Sequence, residues 1–129
     1  MKISNKTKPG IAALMTVVIV GAAALVMAFS AASLGLGDLI MGYDSQKSQE
    51  VATAGDGCLE ETLYRLRRNP NYSGETLSFG VNSCIITIAS SSAVRKISIS
   101  ASQGNYYSAI SATSTVFGGT VSLDAWAQN

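Results

Sequence analysis

The sequence predicts an α+β chain in which one long N-terminal helix packs on a small antiparallel sheet, and three observations predict it. An uncharged, mostly apolar run fills Ile11–Leu36. An amphipathic stretch with three- and four-residue steps follows it as far as Asn69. After Pro70 the apolar period changes to two, the period of a half-buried strand. At 129 residues the chain has room for one domain and an anchor.

The apolar run comes first. Lys2, Lys6 and Lys8 precede it, no charge appears from Pro9 to Gly37, and the next is Asp38. As a helix, the 26 residues Ile11–Leu36 extend roughly 39 Å at ~1.5 Å per residue. The hydrocarbon core of a bilayer is ~30 Å thick, so the run can span it with some tilt. The competing reading, a buried core helix, needs apolar cover on every side, and the remaining chain is too short to give it. Lysines before the span and the acids Asp38 and Asp44 after it put the N-terminus in the cytoplasm by the positive-inside rule. Residues 11–43 are therefore expected to form a transmembrane helix in contact with lipid, and 44–129 an extracytoplasmic domain. Gly21, Ala24, Ala28, Ala32 and Gly35 fall near helical spacing, and small residues let helices approach closely in lipid. Gly35, Gly37 and Gly42 cluster at the exit, each about 1 kcal/mol less favourable than alanine in a helix. The sequence leaves open one continuous helix or two halves joined near Gly42.

In the second stretch Val51, Ala54, Cys58, Thr62 and Leu66 recur on one helical face, flanked by Leu59 and Leu63. Glu61 stands four residues before Arg65, the favourable order for a helical ion pair. Arg65, Arg67 and Arg68 crowd the last turn, where positive charge suits the helix dipole, and Pro70 ends the helix.

Beyond Pro70, Cys84, Ile86 and Ile88 alternate with Ile85, Thr87 and Ala89, and Ile97, Ile99 and Ala101 alternate with serines. Tyr106–Phe117 and Thr120–Ala127 are also strand-like. Turn signals separate the four segments at Ser90–Ser92, Gly104-Asn105 and Gly118-Gly119; the last two suit two-residue hairpins. The expectation is a four-stranded antiparallel meander covered on one face by the amphipathic helix, with its abundant serines on the solvated face.

Chemistry is conspicuous by what is missing. Formal net charge is +1, which gives no field for a nucleic-acid partner. Arg65, Arg67, Arg68, Arg95 and Lys96 could form a basic patch, but a helix C-terminus plus ordinary surface charge accounts for them. There is no histidine, so no Ser-His or Cys-His pair exists. Glu60 and Glu61 are adjacent on a helix and point apart, and the glycine pairs lack the Lys-Ser/Thr that completes a phosphate loop. Two cysteines cannot complete a tetrahedral metal site. The chain reads as no enzyme, with no catalytic, metal or cofactor site. Cys58 lies on the apolar helix face and Cys84 on the Ile86/Ile88 strand face, outside the cytoplasm, so a Cys58–Cys84 disulfide is expected. Two separate buried thiols are the alternative.

These features together resemble a family. A short basic leader ending at Gly10, an immediate apolar helix from Ile11 (Ile-Ala-Ala-Leu-Met-Thr), an amphipathic continuation and a small sheet resemble type IV pilin-like proteins. The stretch Gln49–Leu66 looks most like PilX-type minor pilins and the related minor pseudopilins of type II secretion. The resemblance implies that residues 1–10 are a prepilin-type leader, cut between Gly10 and Ile11 by a prepilin peptidase, and that Ile11 is then N-methylated. It also implies partners: an inner-membrane assembly platform and other pilin-like subunits, with the processed chain in a cell-surface filament. Two positions depart from the pattern. Pro9 precedes the glycine where a basic residue is usual, and Met15 stands where most pilins carry a glutamate. Such a carboxylate neutralises a neighbour's α-ammonium in the apolar filament core, where an unpaired charge is costly. The resemblance with Met15 implies a minor, priming or tip component. The rival is a membrane-anchored or secreted binding domain outside any filament. Signal-type cleavage after Ala32, following Ser30 and Ala31, would release it, yet leave the apolar stub Ser33–Leu36.

Overall fold

A computed structural model describes residues 9–129; Lys2, Lys6 and Lys8, on which the expected orientation rests, and most of the expected leader lie outside the described residues. The chain is α+β, an apolar-headed helix and an antiparallel sheet. One helix, α1 (Pro9–Arg68), runs for 60 residues without a break at Gly42. Of the two alternatives, the continuous helix is the one that forms. Arg65, Arg67 and Arg68 occupy the last turn.

Contacts divide the chain into two compact units, the first ending at Gly42 and the second spanning Tyr43–Asn129. In the first unit every side chain from Ile11 to Leu36 is exposed. The helix is long and apolar enough to cross a membrane. Its few hydroxyls turn back onto the helix: Thr16 Oγ1 donates to Ala12 O at 2.7 Å and Ser30 Oγ to Val26 O at 2.8 Å. In lipid no water serves those groups, so internal bonding is the condition for their presence.

The second unit holds the core. Five strands follow the helix in meander order: β1 (Thr76–Phe79), β2 (Asn82–Ser91), β3 (Val94–Gln103), β4 (Tyr106–Phe117) and β5 (Thr120–Gln128). All pair antiparallel with their sequence neighbours. Four strands were expected, and β1 is the addition. It is four residues long, Thr-Leu-Ser-Phe, with only Leu77 partly buried, so it gives almost no periodic signal. The pairing continues past its start, where Ile86 N donates to Glu75 O at 2.9 Å and Ile88 N to Ser73 O at 3.2 Å. Gly74 makes that approach possible: at φ +106° a Cβ would lie 2.2 Å from Ile86 O. The β2–β3 turn also differs slightly from expectation. It sits at Ser92-Ala93, with Ser92 at φ 57°, while Ser90 and Ser91 belong to β2.

Register aligns the inward side chains in rows. Ile86 faces Ile99, which faces Ile110; Ile88 faces Ile97, then Ala112, then Trp126. Against these rows α1 lays Val51, Ala54, Gly55, Cys58, Leu59, Thr62 and Leu66, the expected face with Gly55 added. A Cβ on Gly55 would come 2.9 Å from Ile110 Cδ1, so a larger residue there would push the tip of that side chain aside. Thr62 is fully buried and donates to Cys58 O at 2.7 Å, which satisfies its hydroxyl. The solvated-face reading of the serines holds for Ser98 and Ser100 on β3 and Ser111 on β4, and fails for two serines of β4. There Ser108 and Ser114 point inward beside Ile110 and Ala112, both buried.

Candidate functional site

The expected cleavage position, between Gly10 and Ile11, lies at the first described residues of α1. Gly10 and Ile11 lie in its first turns, both exposed, with open space around Gly10. Met15 follows on the same exposed apolar segment. Cys58 and Cys84 are bonded to each other, with Cα atoms 6.6 Å apart, and both are almost fully buried. The disulfide clamps the middle of the amphipathic helix to β2, the strand next to the edge. It joins two segments that the hydrophobic rows already press together.

The basic cluster resolves into bound and free members. Arg65 Nε donates to Glu61 Oε1 at 2.7 Å, and the same guanidinium pairs with Glu75. Tyr72 places its ring 5.7 Å from that guanidinium and donates its hydroxyl to Glu75 at 3.2 Å. The bond from Glu61 pushes the Arg65 pKa up, and partial burial pushes the Tyr72 phenol up. Arg95 donates to Ser92 O at 2.6 Å and to Pro70 O at 3.3 Å, which pins the chain as it leaves the helix. Arg67 and Arg68 pair with no carboxylate among the described residues; Arg68 rests 5.2 Å over the Tyr64 ring. Arg65 and Arg95 are therefore engaged within the chain, whereas Arg67 and Arg68 have no carboxylate partner among the described residues.

At the other end of the unit, Tyr106 Oη donates to Asp44 Oδ1 at 2.5 Å and Lys47 Nζ pairs with Glu50 at 2.8 Å. The Asp44 bond holds the Tyr106 hydroxyl above its ordinary pKa. The Lys47–Glu50 pair raises the lysine and lowers the glutamate. The Tyr106–Asp44 bond ties the start of the helix's second segment to the β3–β4 end of the sheet, while Lys47–Glu50 stays within the helix. Sequence periodicity does not show the Tyr106–Asp44 bond, because both partners are polar and 62 residues separate them.

Among the described residues no group of three or more His, Cys, Asp or Glu side chains stands close enough to hold a metal ion. Glu60 and Glu61 diverge: Glu61 goes to Arg65, and Glu60 lies exposed beside Leu63, Leu123 and Trp126. No protein-family model, no curated protein and no solved structure matches the chain. The functional surfaces to be explained are thus an uncovered apolar helical segment and a disulfide-stapled second unit.

Proposed function

We propose that the chain is a structural subunit of a type IV pilus or a related pilin-like filament, entering it as a minor or priming component. One observation carries the reading. A single helix is exposed and apolar over Ile11–Leu36, then buries one face of Val51–Leu66 against its own disulfide-tied sheet. The apolar segment needs cover that the chain does not supply. Lipid covers it before assembly, and the helices of neighbouring subunits cover it afterwards. Gly10-Ile11 at the head of that helix supplies the processing position, and the new Ile11 amine supplies the N-methylation site. A prepilin peptidase and an inner-membrane assembly platform are the partners this requires. The N-terminus lies in the cytoplasm before assembly, and the outer domain reaches the cell surface within the filament.

Met15 gives the reading its minor role. A carboxylate at that place would neutralise the α-ammonium of an adjacent subunit in a medium where an isolated charge is costly. Without it, repeated stacking of this chain on itself is disfavoured, and it fits where a different subunit supplies the charge or no neighbour lies beneath.

The deciding measurement is the first residue of the mature protein together with its stoichiometry in sheared filaments. N-methylated Ile11 and a low copy number are expected, and Met15→Glu should raise that number. If the unaltered chain is the most abundant subunit, the minor role is wrong. Recovery of the unprocessed chain in the membrane alone would remove the filament reading altogether.

A further inference from the structure

The sheet of the second unit has two free edges, β1 and β5, and the helix flanks beside them differ. β1 is four residues long, and the charges facing it, Glu61 and Arg65, pair with each other. β5 is nine residues long and holds neither lysine nor proline, the residues that commonly blunt an open edge. Its inward side chains Leu123 and Trp126 remain 47% and 48% exposed. With Leu59 and Leu63 of α1 they line an open groove, rimmed on the helix side by exposed Asp56 and Glu60. Neither acid pairs with a cation among the described residues. Register locates the free backbone. Ala109 and Asn129 exchange both backbone hydrogen bonds, so alternation turns the backbone groups of Ala127 and Ala125 toward β4 as well. Trp126 and Gln128 therefore turn N–H and C=O toward the open edge, while the Trp126 side chain lines the groove.

We infer that the β5 edge takes up an extended, lysine- or arginine-bearing segment of a different polypeptide as a further strand. Such a strand pairs with the free backbone groups of Trp126 and Gln128, and every second side chain of it enters the groove. An apolar side chain there covers Trp126 and Leu63, and a cationic one meets Asp56 or Glu60. Backbone pairing supplies affinity with little regard to sequence, while the two acids select the partner. The same acids argue against a second copy of this chain. The one charged residue of β5 is Asp124, so pairing two β5 edges brings no cation to either groove. Asp124 itself lies at the bulge, where it accepts from Thr115 Oγ1 at 2.6 Å and Ser122 Oγ at 3.1 Å. The contact occupies one edge of one copy and propagates no further. It stands or falls independently of the filament reading.

The test uses the full chain, disulfide intact, in a zwitterionic detergent, with the end-capped peptide Thr-Lys-Thr-Val-Thr-Lys-Thr as the probe. Trp126 is the only tryptophan, so its emission reads the groove directly. Titration should move that emission to shorter wavelength. Amide exchange at Trp126 and Gln128 should slow about tenfold at saturation, while the paired amides of Ala125 and Ala127 change little. Asp56→Lys with Glu60→Lys should weaken binding about tenfold, and a peptide with glutamate in place of lysine should prefer the reversed chain by a similar factor. That gain of binding cannot arise from misfolding, so the swap remains decisive. No emission shift at millimolar peptide, slowed exchange on β1 instead of β5, or an affinity indifferent to the charges would overturn the inference. An emission shift without slowed exchange at Trp126 and Gln128 would also overturn it, since the peptide would then touch the groove without adding a strand. Slowing that grows with chain concentration in the absence of peptide would assign the edge to a second copy, against the inference.

Discussion

Along one helix, Ile11–Leu36 leaves Val17 and Phe29 71% and 77% exposed, while Val51 and Leu66, further on, are fully buried. Both stretches satisfy their backbone within the helix. They differ in what the side chains meet. Val51–Leu66 alternates buried and exposed positions every three or four residues and finds its cover in β2, β3 and β4 of the same chain. Ile11–Leu36 is apolar on all faces, so no single sheet could cover it, and its cover has to come from outside. A one-sided apolar stripe specifies folding, and an all-round one specifies a solvent or an assembly.

That difference can be broken by truncating apolar side chains in each region. Ile99 is 2% exposed and sits between Ile86 and Ile110 in the central row. Ile99→Ala should cost the outer domain about 2–5 kcal/mol, through lost transfer energy plus an unfilled cavity. Leu25 is 73% exposed, and Leu25→Ala should leave outer-domain unfolding unchanged. Denaturant unfolding of the full chain in detergent, followed by tryptophan fluorescence, measures both. Equal shifts would mean that the two regions unfold as one cooperative body.

Loss of the disulfide should have the next largest effect. Replacing Cys58 and Cys84 by serine should lower outer-domain stability by about 3 kcal/mol, since the bond closes a loop spanning a sequence separation of 26. Helical signal from the apolar segment should persist in detergent after the outer domain has melted. Two reactive thiols in the unreduced, unfolded wild-type chain would contradict the bond itself.

Much of this was legible in the residues, and the reasons are physical. The apolar run, the helix face Val51–Leu66, the turns at Gly104-Asn105 and Gly118-Gly119, and the cysteine pair each follow from a period or a conformational demand. β1 was illegible because four residues at a sheet edge bury little and so carry no period. The inward serines of β4 were illegible for another reason. Alternation assigns residues to two faces, but when small polar residues occupy both, composition no longer says which face is dry. The proposed processing position Gly10-Ile11 and the proposed role of Met15 rest on resemblance alone, since these exposed residues obey no packing rule.

The serine misreading yields a sharper contrast within one residue type. Ser114 is fully buried and its Oγ has no hydrogen-bond partner, whereas Ser98 and Ser100 face water. A buried orphan hydroxyl costs about 1–3 kcal/mol. Ser114→Ala should therefore be neutral or stabilise by about 1 kcal/mol, while Ser98→Thr and Ser100→Thr stay within roughly 0.5 kcal/mol. Marked destabilisation by Ser114→Ala would mean that the hydroxyl has a partner, an internal water being the first to seek.

The smallest effect is expected from pH, and only the outer domain should show it. Tyr106 and Tyr72 both have pKa values raised above the ordinary 10.0, by the Asp44 hydrogen bond in the first case and by burial in the second. A raised pKa means that the folded domain favours the protonated phenol more than the unfolded chain does. The associated stability is fully present below pH ~10 and is lost as pH rises through the folded values. Tyr106 is solvent-accessible, so its share is small and screened by salt. Outer-domain stability should stay flat from neutral pH to about 9 and then decline, with Tyr106→Phe removing part of the slope. The helical signal of Ile11–Leu36, which contains no titratable side chain, should not move over that range. A decline of equal slope in Tyr106→Phe would assign the effect to Tyr72 and Lys47, whose pKa values are also raised, and the Asp44 bond would then contribute nothing to holding the two ends of this domain together.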